Sequence, residues 1–220
     1  MRFSHVVFDL DGTVLDTLAD LAASGNHVCE ARGWPAHPVD AYKLMVGNGM
    51  PKLVERFMPH GLAEQDPRLF KQVFDEFCSY YDAHKEDSTR PYPGIVELLD
   101  ELRGAGMRLG ILTNKDHGAA VPLIRRYFGD RFDCIQGRTD AYPPKPAAPA
   151  TKALLERLGA SAGDVVFVGD SNVDVKTARN VGAPVIGVLW GFRSREELEG
   201  AGAAYIAEKP ADVARIVLGS

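Results

Sequence analysis

The amino-acid sequence predicts an α/β protein whose core is a parallel, Rossmann-like sheet with helices on both faces. One short apolar run stands near the start of the 220-residue chain, and several more alternate with helix-like segments in the second half. Such alternation is typical of right-handed βαβ units, which build a parallel sheet covered on both sides. The region between these two parts has helical spacing, which predicts a helical insertion after the first strand.

The predicted strands are short apolar runs, of the length and residue type that buried strands have. The first begins at His5 and leads directly into Asp9, and the others are Met107–Thr113, Phe132–Ile135, Val165–Val168, Val185–Leu189 and Ala203–Ala207. Apolar residues at helical spacing predict the helices between them, which are Ile95–Arg103, Gly118–Phe128, Pro149–Leu158, Val173–Val181 and Ala211–Leu218.

The predicted insertion occupies residues 17–90, which leaves 1–16 and 91–220 for the α/β core. Its apolar positions indicate three helices, which contain Leu18, Leu53 and Phe70. The chain leaves the core just after the first strand and returns at the Arg90–Gly94 segment. We therefore expect a helical cap that sits over the carboxyl edge of the sheet like a lid, on two linkers that form a hinge.

The composition is that of an ordinary globular protein and argues against several classes of function. Hydrophobic residues make up 45% and charged residues 25%, the net charge is −5, and no basic block is present. These values argue against nucleic-acid binding, and no apolar run has the length of a membrane span or a signal-peptide core. The three cysteines are widely spaced, which argues against disulfides. We expect a cytoplasmic protein that acts as a monomer or homodimer.

Two acidic residues follow the first predicted strand at a spacing of two. Asp9 and Asp11 are separated by Leu10 and are followed by Gly12 and Thr13. Alternation along a strand would place both carboxylates on the same face. An Asp-Gly pair by itself is a common turn signal. Two like charges in one small space, however, need a cation or a shared proton, and Mg²⁺ is the simplest such cation.

Further polar residues stand at the ends of the other predicted strands. Thr113 and Asn114 end the second strand, Lys145 lies in the loop after the third, and Asp170 ends the fourth. Each has an ordinary alternative, as a strand residue, a loop lysine or a helix N-cap. Because these ends are neighbours in a parallel sheet, the set predicts one site for Mg²⁺ and a phosphate group. Asp174 is placed to support the metal site or to pair with Lys145.

With these motifs the sequence resembles the haloacid dehalogenase superfamily of phosphohydrolases, and within it the phosphoglycolate-phosphatase-like branch. The resemblance covers essentially the whole chain. Its four motifs are Asp9-Leu10-Asp11-Gly12-Thr13, Leu112-Thr113-Asn114-Lys115, Pro144-Lys145-Pro146 and Gly169-Asp170-Ser171-Asn172-Val173-Asp174. The branch is indicated by the second motif, by Val46-Gly47-Asn48-Gly49 in the insertion and by Gly187-Val188-Leu189-Trp190-Gly191-Phe192.

The resemblance implies a phosphatase that works through an aspartyl-phosphate. Asp9 would attack phosphorus, and Asp11 would protonate the leaving oxygen and later deprotonate the attacking water. Mg²⁺ would be held by a carboxylate oxygen of Asp9, the backbone carbonyl of Asp11 and the carboxylate of Asp170. The phosphate oxygens would be bound by Thr113, the backbone near Asn114, and Lys145.

Two departures from the family pattern concern the third and fourth motifs. The second proline after Lys145 comes one residue late, at Pro149, so the shape of that loop stays open. In the fourth motif, Val173 stands where an Asn often precedes the last Asp, which removes one polar neighbour of Asp174.

The resemblance further implies that the insertion selects the substrate. Its turn of Gly47, Asn48 and Gly49 is expected to face the active site, because glycines let backbone amides approach a ligand closely. Lys52 and Arg56 follow at helical spacing and are candidates for contact with a substrate carboxylate. The alternative for these two cations is a solvated helix face.

The predicted substrate is a small phosphorylated metabolite, with 2-phosphoglycolate as the leading candidate. Within the same fold, the alternatives are a sugar phosphomutase of the β-phosphoglucomutase type, a pyrophosphatase and a nucleotidase. The presence of Asp11 and its turn disfavours a dehalogenase or a phosphonate hydrolase. An alternative of another class is a receiver-like phospho-acceptor signalling module, which also combines Asp, Thr, Lys and Mg²⁺ but is shorter and has no insertion.

Overall fold

A computed structural model describes residues 3–219 of the chain. The chain divides into two compact units. One is built from the residues up to Leu15 together with those from Pro91 onward, and the other is Asp16–Arg90. The sequence-based division placed Asp16 in the first unit, so the two divisions differ by one residue at that point.

The first unit contains a six-stranded parallel sheet, which confirms the predicted fold class. The strands of the described residues are β1 (His5–Phe8), β2 (Leu15–Asp16), β3 (Arg90–Pro91), β4 (Arg108–Asp116), β5 (Cys134–Arg138), β6 (Val165–Gly169), β7 (Val185–Val188) and β8 (Tyr205–Ala207). The sheet has the order β5-β4-β1-β6-β7-β8, while β2 and β3 pair with each other. Phe8 of β1 lies opposite Ile111 of β4 and Val168 of β6. The carboxyl ends of these three central strands are therefore neighbours.

The second unit is helical. Its helices are α1 (Leu18–Ala31), α2 (Val39–Met45), α3 (Met50–Phe57), α4 (Leu62–Gln65) and α5 (Pro67–His84). The sequence predicted α1, α3 and α5 and missed the two short helices. Helix α2 buries only Tyr42 and leaves Leu44 69% exposed, so its apolar residues show no helical stripe. The unit has an aromatic core, in which the ring centroids of Phe57 and Phe77 lie 5.6 Å apart.

Helices cover both faces of the parallel sheet. They are α6 (Ile95–Gly104), α7 (His117–Phe128), α8 (Ala148–Leu158), α9 (Asn172–Arg179), α10 (Arg195–Ala201) and α11 (Pro210–Leu218). Alternate residues of β1 enter two separate cores, Val6 and Phe8 in one and Val7 in the other. The first core also contains residues of α6, α7 and α11, and the second contains residues of α8, α9 and α10. None of the helices among residues 3–219 is long and apolar enough to cross a membrane.

Three details of this unit differ from the sequence-based expectation. The strand predicted at Phe132–Ile135 is β5, which begins at Cys134 and ends at Arg138. Strand β4 extends to Asp116 rather than ending at Thr113, so the residues between them lie within the strand. Asp116 then caps α7, because its side chain accepts hydrogen bonds from the backbone N–H groups of Gly118 and Ala119. Helix α10 was not predicted. It buries a single residue, Leu198, and therefore has no apolar periodicity.

Candidate active site

Three carboxylates converge at the carboxyl edge of the sheet. Asp9 follows β1 directly, Asp170 follows β6 directly, and Asp174 lies in the first turn of α9. Each contributes a carboxylate oxygen, and these oxygens all lie within 4.8 Å of one another. Asp170 and Asp174 are buried, and the side chain of Asp9 is 12% exposed. The parallel order of the central strands therefore brings together acids that lie far apart in the sequence.

Lys145 supplies a buried positive charge to this cluster. Its Nζ lies 2.9 Å from Oδ1 of Asp9 and 2.7 Å from Oδ1 of Asp174. The other carboxylate oxygen of Asp174 accepts hydrogen bonds from the backbone N–H and the hydroxyl group of Ser171, at 3.1 Å and 2.6 Å. Because Lys145 and Ser171 donate to the two oxygens of Asp174, this residue is arranged to orient Lys145. Asp9 and Asp170 directly follow the central strands β1 and β6 and are the candidates for direct ligation.

Asp170 is supported by residues to which the sequence interpretation gave no role. Its Oδ1 accepts a hydrogen bond from the Thr13 hydroxyl at 3.2 Å, and its Oδ2 accepts one from the Phe192 backbone N–H at 2.8 Å. A Cβ atom at Gly12 would lie 2.4 Å from Oδ2 of Asp170, and one at Gly191 would lie 2.3 Å from its Cβ. Only glycine fits this close approach. Both glycines lie in segments that carried the family resemblance, and that resemblance was the sequence signal that could have identified them.

Burial and crowding change the proton affinity of these groups. Burial raises the pKa of Asp9 to about 7, against the lowering effect of Lys145, and Asp174 raises it further. Burial also raises the pKa of Asp170 to about 8, with added repulsion from Asp174 and Asp9. Burial alone would lower the pKa of Lys145, but Asp174 and Asp9 raise it above its ordinary value. The lysine is therefore charged, and the carboxylates hold more negative charge than it neutralises.

This acidic cluster has the chemistry of a divalent-cation site. All three acidic groups offer carboxylate oxygens, the donors that Mg²⁺ prefers. One buried ammonium faces three carboxylates, so a cation would relieve the remaining repulsion. Asp9 and Asp170 fit the role of carboxylate ligands.

The carboxylate of Asp11 is not part of this cluster, which corrects the expectation from strand alternation. Strand β1 ends at Phe8, so the alternation does not continue to Asp11, which lies in a turn and bridges to Leu15. Its carboxylate oxygens instead contact Nζ of Lys115, at 3.0 Å and 3.4 Å. The sequence interpretation gave Lys115 no role, although it follows Asn114 in the second motif.

The other residues of the second motif hold the site in place. The Thr113 hydroxyl accepts a hydrogen bond from the backbone N–H of Lys115 at 3.2 Å. The Asn114 side chain contacts both backbone polar groups of Lys145: its Oδ1 accepts from the N–H at 2.7 Å and its Nδ2 donates to the carbonyl at 3.2 Å. Asn114 thereby fixes the loop with the late proline, whose Lys145–Pro146 peptide bond is cis. The expected phosphate contacts of Thr113, Asn114 and Lys145 stay predictions.

The candidate specificity residues belong to the helical unit. Gly47 and Gly49 both have positive φ angles, of 114° and 86°, which favour glycine. Between them, the Asn48 side chain accepts a hydrogen bond from Arg56, which also donates to the Met45 carbonyl. Arg56 therefore stabilises this turn. Lys52 is exposed and forms an ion pair with Glu55, and its contact with substrate stays a prediction.

Comparison with known proteins identifies the family to which this site belongs. A family model described as haloacid dehalogenase-like hydrolase matches residues 6–188. The chain belongs to this family. A phosphoglycolate phosphatase of Agrobacterium fabrum is 37% identical over 191 residues, which cover 84% of this chain and 80% of the relative. Another, of Caulobacter vibrioides, is 32% identical over 209 residues, covering 94% of this chain and 88% of the relative.

Solved structures of similar proteins agree in fold over their full length. A crystal structure from Lactobacillus delbrueckii subsp. bulgaricus, assigned as a phosphoglycolate phosphatase, has a TM-score of 0.94 at 31% identity and covers 100% of both chains. A predicted phosphoglycolate phosphatase from Haemophilus somnus 129PT has a TM-score of 0.90 at 26% identity and covers 98% of each chain.

Membership of the haloacid dehalogenase-like hydrolases confirms two predictions made from the motifs. The predicted family is correct, and so is the enzyme class, a phosphoric monoester hydrolase. The match runs from β1 to the end of β7 and therefore includes all four motifs. It favours a hydrolase over the receiver-like signalling module.

Proposed function

We propose that this hydrolase is a Mg²⁺-dependent phosphatase that cleaves a small phosphomonoester through an aspartyl-phosphate, with 2-phosphoglycolate as its substrate. The observation that carries the proposal is the carboxylate of Asp9 at the sheet edge, 2.9 Å from the buried ammonium of Lys145 and clustered with Asp170. The relatives named phosphoglycolate phosphatase support the choice of substrate.

In the first step of this mechanism, a carboxylate oxygen of Asp9 attacks phosphorus. The bond to the leaving oxygen breaks as Asp11 gives that oxygen its proton, which releases the alcohol. Asp11, now a carboxylate, takes a proton from water as the water oxygen attacks the phosphorus of the aspartyl-phosphate. Inorganic phosphate leaves, and both Asp residues return to their starting states.

The surrounding residues hold the reacting groups. Lys145 and the Thr113 hydroxyl would bind the phosphate oxygens, with Asn114 fixing the backbone of Lys145. Asp9, the backbone carbonyl of Asp11 and Asp170 would hold Mg²⁺. When bound, the cation reduces the repulsion between an anionic nucleophile and an anionic phosphate.

The first experiment is a phosphate-release screen of the purified chain with Mg²⁺. Its substrates are phosphoglycolate, pyrophosphate, nucleoside monophosphates and sugar phosphates, and isomerisation of glucose 1-phosphate is followed in parallel. We expect the highest kcat/KM with phosphoglycolate. If another ester is turned over preferentially, the proposed substrate is wrong but the proposed mechanism still holds. Isomerisation without phosphate release would identify a sugar phosphomutase.

The mechanism is tested by the Asp9→Asn substitution. This variant should release no phosphate and form no acid-stable or trappable phosphoenzyme, because an amide is a poor nucleophile and cannot form the acyl-phosphate. Lys152→Met, an exposed position on α8, is a matched surface control that should keep full activity. Near-normal turnover of Asp9→Asn would contradict the assignment.

We further propose that the helical unit selects the substrate through the Gly47–Gly49 turn and Lys52. If so, Lys52→Ala should raise the KM for phosphoglycolate and leave the KM for an aryl phosphate that has no carboxylate unchanged. Equal changes for both esters would argue against a contact with the substrate carboxylate.

A cytoplasmic location and a monomeric or homodimeric state also stay predictions.

A further inference from the structure

Lys115 is a buried lysine beside the catalytic acid, and the mechanism above gives it no part. Its side chain is only 1% exposed, and that of Asp11 is 15% exposed. Its Nζ contacts both carboxylate oxygens of Asp11, at 3.0 Å and 3.4 Å. A buried ammonium is costly unless it is paired and hydrogen-bonded, so the contact with Asp11 stabilises the buried charge and restrains both side chains.

We propose that Lys115 is a positioning residue, which holds the Asp11 carboxyl group in the orientation that reaches the leaving-group oxygen. The inference rests on the proposed role of Asp11. Asp11 lies in a turn beyond the end of β1, where the sheet does not restrain its side chain. Lys115 lies inside β4, and its backbone N–H is bonded to the Thr113 hydroxyl. The strand therefore gives the turn a rigid anchor, and contact with both oxygens restrains rotation of the carboxyl group.

This role has a consequence for the class of substrate. A proton donor contributes most when the leaving group is a strongly basic alkoxide, as in an alkyl phosphate such as phosphoglycolate. It contributes little when the leaving group is a weakly basic nitrophenolate. A positioned general acid raises the reaction rate roughly 10²- to 10⁴-fold. An acid whose orientation is less restrained keeps part of this increase. Lys115 should therefore favour alkyl phosphomonoesters over activated aryl esters.

The experiment compares two substrates in the same protein sample. Lys115→Met is assayed with phosphoglycolate and with p-nitrophenyl phosphate at saturating Mg²⁺, and Lys152→Met is the control. The value of kcat/KM reports only the steps up to departure of the leaving group, and the ratio between substrates does not depend on how much of the variant is folded. We expect kcat/KM to fall about 10- to 100-fold for phosphoglycolate and less than about threefold for the aryl ester.

A double-mutant cycle with Asp11→Asn separates positioning from direct action on the substrate. If Lys115 acts through Asp11, the double variant should have the same kcat/KM for phosphoglycolate as Asp11→Asn alone. If the losses in kcat/KM of the two single variants multiply in the double variant, the proposal is overturned. It is also overturned if Lys115→Met loses equal activity on both substrates or loses none. If Asp11→Asn itself shows no selective loss on phosphoglycolate, the proposed function of Asp11 fails and not only the role of Lys115.

Discussion

Replacement of Lys145 by methionine should destabilise the metal-free protein by about 3–5 kcal/mol, the cost of leaving buried charges without their partner. The side chain is 3% exposed and contacts Asp9 at 2.9 Å and Asp174 at 2.7 Å. At an effective dielectric constant of about 20, each such pair attracts by about 6 kcal/mol. Desolvation of the ammonium offsets several kcal/mol of this sum, and uptake of a proton by Asp9, whose pKa is raised to about 7, limits the remaining loss. Methionine keeps much of the volume, so the loss reflects charge rather than a cavity.

The destabilisation caused by Lys145→Met should depend on pH. The pKa of Asp9 is raised from 3.8 to about 7 and that of Asp170 to about 8. A group whose pKa is higher in the folded state stabilises the fold while it is protonated and loses that contribution as pH rises. The contribution of Asp9 and Asp170 to the free energy of unfolding should therefore fall between about pH 4 and about pH 8 in the absence of metal. Without Lys145, which lowers the pKa of Asp9, this fall should extend to higher pH and become larger in total.

The assay is urea unfolding of the wild type and Lys145→Met in EDTA, at about pH 5 and about pH 8. Lys152→Met serves as the control and should change the free energy of unfolding by less than about 0.5 kcal/mol. We expect the Lys145→Met loss to be larger at the higher pH, where the carboxylates are ionised. A loss below about 1 kcal/mol at both pH values would refute the charge balance described for this site.

Three further predictions concern the parts that support the site. Mg²⁺ should stabilise the wild type by about 2.7 kcal/mol at a concentration of 100 Kd, which raises its melting temperature. Differential scanning calorimetry of Asp170→Asn should show a much smaller rise. Asn114→Ala should lower the free energy of unfolding in urea by about 1–3 kcal/mol, because it removes the acceptor of the buried backbone N–H of Lys145. An unchanged urea midpoint would contradict a stabilising role for the hydrogen bonds between Asn114 and Lys145. Gly191→Ala should abolish the stabilisation by Mg²⁺, since its Cβ would lie 2.3 Å from the Cβ of Asp170, whereas Gly200→Ala, where a Cβ meets open space, should leave it intact. Equal Mg²⁺ responses of these two variants would contradict the close packing.

Local pattern was sufficient for the architecture of the α/β unit. The apolar runs predicted the presence of every strand of the parallel sheet, although β5 continues into the polar residues Gln136 and Arg138, because a strand that packs into a core contains an apolar segment whatever its neighbours are. Missed elements were those with little to bury, such as α2 with Tyr42 alone and α10 with Leu198 alone. A short helix held by one anchor has no period for a sequence pattern to display.

The sequence by itself determined the sheet edge at which Asp9, Asp170 and Lys145 meet, since the carboxyl ends of parallel strands all lie at one edge of the sheet. Only the tertiary structure decided which side chains touch there. Asp11 reaches Lys115 across 104 positions of the chain, and Asn114 brackets Lys145 across 31. Periodicity reports the face of its own element on which a residue lies, whereas such contacts depend on how separate elements pack. For that reason Asp9 and Asp11, only two positions apart in the sequence, contact two different lysines in the folded protein.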